Sequence, residues 1–136
     1  MESKAKLVQE IKNGTHNLNL PKENLSGVDL SGVNLDGANL RGANLSGTNL
    51  SGASLRGANL RGVNLIGANL HKAYLIGTNF TDADLAFVDL TEADLTDANL
   101  SGADLMGARL INASLGNAYL IGADLIATNL TGTNLA

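Results

Sequence analysis

Residues 38–62, ANLRGANLSGTNLSGASLRGANLRG, are five copies of one five-residue unit with no spacer between them. The register extends well beyond this stretch. A large apolar residue falls at every fifth position from Leu20 to Leu135, making 24 positions of which 23 are Leu and one is Phe80. With this residue called i, position i−2 is Ala, Val or Thr at all 22 places from Val28 to Thr133. Position i−1 is Asn 13 times and Asp six times, and i+2 takes 14 of the 16 glycines. No insertion or deletion breaks the phase.

Each position has a physical reading. Apolar residues at i−2 and i with a polar residue between them give the in–out–in alternation of a short β segment. Five residues cannot continue a period of two, so the chain must turn within every unit. Gly at i+2 answers that need, because it takes up corner backbone angles without a Cβ clash. A helix is excluded: a period of five turns successive leucines by about 140° and forms no common face. A small residue at i−2 beside a large one at i suits a narrow interior shared by several sides.

Composition agrees. The chain has 136 residues, 44% hydrophobic, yet only 3% aromatic and without Trp, so its apolar content is mainly Leu and Ala. There are no cysteines, which removes disulfides, thiolate metal sites and Cys nucleophiles. No apolar run reaches the roughly 18 residues that span a membrane. The N-terminal MESKAKLVQEIKNG carries charges throughout and has no signal-like stretch, so a cytoplasmic protein is expected. A formal charge of −4 disfavours direct nucleic-acid binding.

The units ANLRG at 38–42, ANLSG at 43–47 and ADLTD at 93–97 resemble the pentapeptide-repeat family, A(D/N)LXX, and the resemblance covers residues 18–136. It implies an all-β solenoid: a right-handed quadrilateral β-helix with four units to a coil of about twenty residues, hence about six coils here. Many members are cyanobacterial, some regulate cell differentiation, and a cyanobacterial-type member is expected. Before the repeats, residues 2–12 are good helix formers with Leu7, Val8 and Ile11 on one side and Asn13-Gly14 as a stop. The expected organisation is therefore a capping α-helix and connection over 1–17, then the β-helix over 18–136. The helix would cover the open end of the first coil.

With a twenty-residue coil, residues twenty apart stack in columns. Asn39, Asn59, Asn79 and Asn99 form one, suited to an amide ladder or to local turn bonding. Residues 73–136 carry −7 and residues 1–72 carry +3. The acids form a belt of Asp82, Asp84, Asp89, Glu92, Asp94 and Asp97 around one coil, with Asp84, Asp104 and Asp124 as a column. Stacked carboxylates repel by about 1 kcal/mol even in water; the expected reading is a solvated acidic belt that helps solubility, with a cationic protein partner or a divalent cation as the alternatives. Calcium asks for six to eight oxygens, more than a flat column provides. Basic residues are fewer: Arg41 and Arg61 stack, and Arg56 follows Asp36 in its column and pairs with it.

The candidate interaction surface is apolar. Ile66, Ala86, Met106 and Ile126 form a column at i+1 with Phe87 alongside, and Ile111 and Ile121 add apolar surface on other faces. A column of exposed apolar residues is a patch, and patches signal contacts. Catalysis has no support: His16 lies in the connection, His71 stands on a flat face, and no catalytic set, metal-ligand spacing, cofactor motif or phosphate loop occurs. The expected function is a noncatalytic protein-interaction scaffold of unknown partner, needing no cofactor. One alternative is mimicry of duplex DNA toward gyrase, as some family members achieve. A duplex about 28 Å long carries about 16 charges, however, against −7 in the acidic half here. The other is a structural solenoid with a cation- or ice-binding face, although the Thr-bearing column Ser31, Ser51, His71, Thr91, Ile111, Thr131 is interrupted. A homodimer through the C-terminal coil is also expected, since a two-fold contact there would cover Leu120, Leu125, Leu130 and Leu135.

Overall fold

The computed structural model describes residues 3–14 and 17–136. One helix, α1 (Lys4–Lys12), precedes the repeats. It begins at residue 4 because Ser3 takes the N-cap, its hydroxyl accepting from the Lys6 N–H at 3.2 Å. Asn13 closes the other end, donating its N–H to the Gln9 carbonyl. Leu7 and Ile11 are buried in the same apolar cluster as the repeat leucines, with Val8 packed against it. Among the described residues no helix is long and apolar enough to cross a membrane. His16 lies outside the described residues.

From Asn19 onward every i−1 residue forms a parallel bridge to the residue twenty further on, as in Asn19↔Asn39↔Asn59, through to Ser114↔Asn134. These bridges fall into four columns, so four units complete one coil. They are isolated bridges and not continuous strands. The reason is length: two of five residues form the corner, leaving three on a face, and the middle one pairs with both neighbouring coils.

Three backbone bonds recur between coils. The N–H of residue i donates to the next coil, as Leu40 does to the Asn59 carbonyl at 2.8 Å. The N–H of i+2 does the same, as Gly42 does to Arg61 at 2.9 Å, and the i−1 N–H donates back, as Asn59 does to Ala38 at 2.9 Å. A fourth bond closes each corner: the Leu carbonyl accepts the N–H three residues later, 3.0 Å from Ala38 to Leu35. Residue i+2 carries a positive φ, which makes the corner a type II turn. With Ala at i−2 the closing bond is 2.9–3.0 Å, while Val or Thr there gives 3.1–3.5 Å, because branching at Cβ widens the corner.

Inside, leucines from Leu25 to Leu110 are at most 2% exposed, and Phe80 fills a leucine site at 0%. The threonines at i−2 bring a hydroxyl into this core. Thr48 and Thr78 donate to the Leu25 and Leu55 carbonyls of the preceding coil, at 3.1 and 2.7 Å. Buried hydroxyls cost several kcal/mol only when left unpaired, and these are paired.

Inward and outward positions should therefore respond very differently to substitution. Leu75 is fully buried and Ile76, its neighbour, is 37% exposed. Leu75→Ala is expected to lose roughly 2–5 kcal/mol, and Ile76→Ser about 0.5 kcal/mol or less. Urea midpoints of the two variants measure this, and equal shifts would contradict the inward–outward assignment.

Candidate functional site

The outward chemistry is set at i−1 and at the two corner positions. The side chain of Asn or Asp at i−1 folds over its own corner and accepts the i+1 N–H, from Asp29 to Ser31 at 3.0 Å through to Asn134 and Ala136 at 3.0 Å. This local bond takes the amides of Asn39, Asn59, Asn79 and Asn99, whose Oδ1 atoms accept from Arg41, Arg61, Thr81 and Ser101. A side-chain amide bond along the column appears once, from Asn39 Nδ2 to Asn19 Oδ1 at 2.9 Å. The column is thus a series of turn caps and not a continuous amide ladder.

The acidic column follows the same rule. Asp84, Asp104 and Asp124 are linked coil to coil. Each spends Oδ1 on its own corner, accepting from Ala86, Met106 and Ile126 at 3.2, 2.9 and 3.0 Å. Hydrogen bonding to the charged form offsets part of their mutual repulsion. Elsewhere the belt meets bases of the coil before it. Asp82 faces Arg61 at 3.9 Å, while Glu92 faces His71 at 3.7 Å and Lys72 at 3.9 Å. His71 thus has a carboxylate neighbour in Glu92. Among the described residues no three acidic or His side chains converge as a metal site.

The expected Asp36–Arg56 pair is present, with the guanidinium donating to Asp36 Oδ2 at 3.1 and 3.3 Å. Ser54 and the Arg56 N–H donate to the other oxygen. Burial pushes the Asp36 carboxyl up, but these bonds together outweigh it and hold the group below the usual carboxylate range.

The apolar candidates separate into groups. Gly67 donates to the Ala86 carbonyl, Phe87 to Met106 and Gly107 to Ile126, each at 2.9–3.0 Å. Ile66, Ala86, Met106 and Ile126 therefore stand one above another on a single corner. Ile66, Met106 and Ile126 are 39, 37 and 66% exposed, whereas Ala86, short between Ile66 and Met106, is buried. Ile111 stacks on Thr91, and Ile121 on Ser101, at the two neighbouring corners. They do not join this strip.

Phe87 stands apart from the rest. It occupies the left-handed corner position at φ 59° with 63% of its surface exposed, where most units have Gly. Its ring lies over Gly107 of the next coil: a Cβ there would sit 2.6 Å from two ring carbons. Left-handed backbone costs an L-residue with a Cβ roughly 1–2 kcal/mol, and an exposed ring recovers little of that by burial. Asp82, Glu92 and Asp97 share this conformation in the same coil, so none of its four corners has glycine.

Two exposed aromatics escaped the sequence reading. Tyr74 and Tyr119, 53 and 58% exposed, stand at i−1 in identical pentapeptides, AYLIG at 73–77 and 118–122. The available signal was the loss of Asn or Asp at a turn-capping position.

The strain at Phe87 is measurable. Phe87→Gly is expected to leave stability unchanged or raise it by up to about 1 kcal/mol. Gly107→Ala should destabilise by at least about 1 kcal/mol through its own positive φ and the ring above it, and by less in a Phe87→Gly background. Thermal unfolding of the four proteins in this cycle checks the coupling; additive effects would separate ring from glycine.

Comparison with known proteins agrees with this geometry. The family described as pentapeptide repeats matches residues 24–62, 43–82, 64–102 and 103–136. No curated protein matches. Among solved structures, the chain is similar to the pentapeptide repeat protein Rfr23 from the cyanobacterium Cyanothece 51142. That match has 29% identity over 89% of this chain and 82% of that one, with a TM-score of 0.54. A pentapeptide repeat protein of Nostoc Pcc 7120 is 33% identical over 97% and 94% of the two chains, TM-score 0.42. One from the Arabidopsis thaliana thylakoid lumen is 31% identical over 82% and 70%, TM-score 0.39. The unbroken five-residue register, its twenty-residue coil and the family match over residues 24–136 place the chain in the pentapeptide-repeat family, whose architecture is the right-handed quadrilateral β-helix.

Proposed function

We propose that this protein is a noncatalytic protein-interaction scaffold: about six coils over residues 18–136, capped by the helical segment within 1–17, acting in the cytoplasm. Its contact surface is the corner strip of Ile66, Phe87, Met106 and Ile126. The observation that carries this reading is Phe87, a large ring held exposed in a left-handed conformation that favours glycine. A residue that costs stability and gains little burial is retained for what it presents outward. Mimicry of duplex DNA has less support, because Asp82 and Glu92 of the acidic belt face Arg61, His71 and Lys72. The experiment compares lysate proteins retained by immobilised wild type with those retained by the Phe87→Gly, Met106→Ser double variant. A protein held by the first and lost by the second supports the strip, whereas identical retention argues against it.

Pairing of two chains through the C-terminal coil is a second, separate contact. It draws on Leu125, Leu130 and Leu135, which are 37, 39 and 64% exposed, with Ile121 at 80% beside them. Light scattering after size exclusion is expected to give twice the 14.0 kDa chain mass. Ile121→Asp should reduce it to a single chain, and a single chain for the wild type would end the proposal.

A further inference from the structure

The strip has a spacing, and spacing selects a partner. Its i+1 positions, Ile66, Ala86, Met106 and Ile126, are separated by one coil each, and coils lie about 4.8 Å apart, so Ile66 to Ile126 spans roughly 14 Å. An α-helix laid along the solenoid axis presents one apolar side chain per turn at 5.4 Å, accumulating about 2 Å of mismatch over three steps. An extended strand presents one per two residues at roughly 6.6 Å and falls out of step by about 5 Å. The helix keeps pace with the strip and the strand does not.

The strip is not equally exposed along its length. Ala86 is a short residue between Ile66 and Met106, and the Phe87 ring rises beside it to lie over Gly107. Ala86 is covered by its neighbours at 6% exposure, so the accessible apolar surface is that of Ile66, Met106 and Ile126 with the Phe87 ring beside them.

Charge fixes the flank. The residues two before Ala86, Met106 and Ile126 are Asp84, Asp104 and Asp124, stacked at the coil spacing along one side of the strip. Each uses Oδ1 for its corner, and among the described residues no hydrogen bond engages Oδ2. A second copy of this chain fits poorly: a two-fold contact that reverses the axis sets this carboxylate column beside its own equivalent, and one that keeps the axis sets two −7 halves together. We infer that the strip binds an amphipathic α-helix of another protein, its apolar residues one per turn along Ile66, Ala86, Met106 and Ile126 and its lysines or arginines along Asp84, Asp104 and Asp124. This rests on the strip being the contact surface.

A fluorescent synthetic peptide tests it, with leucines at i, i+4, i+7 and i+11 and a lysine after each, a pattern that puts the lysines on one flank of the apolar stripe. Two controls have the same leucine count: one spaces leucines at every second residue, the other replaces each lysine by glutamate. Fluorescence anisotropy is expected to show the helical cationic peptide bound, and both controls at least roughly tenfold weaker. Binding should weaken with salt. Met106→Ser and Asp104→Asn should each weaken it several-fold, the latter keeping the amide oxygen that caps the corner, and Ile76→Ser on a different corner should change nothing. Equal binding of either control, or equal effects of Ile76→Ser and Met106→Ser, overturns the proposal. So does the absence of binding by the wild type, whose fold is verified by circular dichroism. Loss of captured lysate protein in the Phe87→Gly, Met106→Ser variant alongside failure of the peptide would keep the contact surface and reject the helix.

Discussion

Every level of this structure depends on the chain turning the same corner every five residues. The corner requires a left-handed residue at i+2, and 14 glycines and nine other residues hold that position with a positive φ. The N–H of that residue bonds to the coil above, and the Leu carbonyl before it accepts the N–H that closes the turn. If one corner failed, the following units would lose the twenty-residue phase. Both the bridges and the stacking of leucines would then lose register.

Regularity allows a core made almost wholly of Leu and Ala to suffice. A conventional domain of this length gathers apolar surface through large rings and irregular packing. Here each leucine sits between its equivalents in the coils before and after it, and Phe80 is the only ring in the repeat interior. The i−1 amides and carboxylates reinforce most corners from outside. Their polar atoms are therefore largely committed to architecture, which explains why conspicuous columns of Asn and Asp are a weak guide to function.

Function is better sought where the pattern is broken at a cost. The coil of residues 81–100 replaces glycine at all four corners, with Asp82, Phe87, Glu92 and Asp97. Asp82 and Glu92 find basic partners on the coil before. Phe87 lies over Gly107 and is 63% exposed. Strain without a stabilising return draws attention to the corner carrying Ile66, Met106 and Ile126, and separates that strip from the equally apolar but isolated Ile111 and Ile121.

The sequence by itself determined the period, the inward role of i and i−2, the need for a corner at i+2 and the helix ending at Asn13, because each follows from local sterics and alternation. With the twenty-residue coil that the family resemblance implies, it also placed Asp36 beside Arg56. It could not assign the Asn and Asp oxygens between a ladder and a turn, because both are hydrogen bonds of similar strength and only the corner geometry brings the i+1 N–H closer. Nor could it tell that threonine hydroxyls would point into the core toward carbonyls 23 residues earlier. The burial of Ala86, the ring of Phe87 over Gly107 and the pairing of Glu92 with His71 and Lys72 were decided by tertiary structure alone. Each depends on how far a side chain reaches across the gap to the adjacent coil, which side-chain length and corner angle set together.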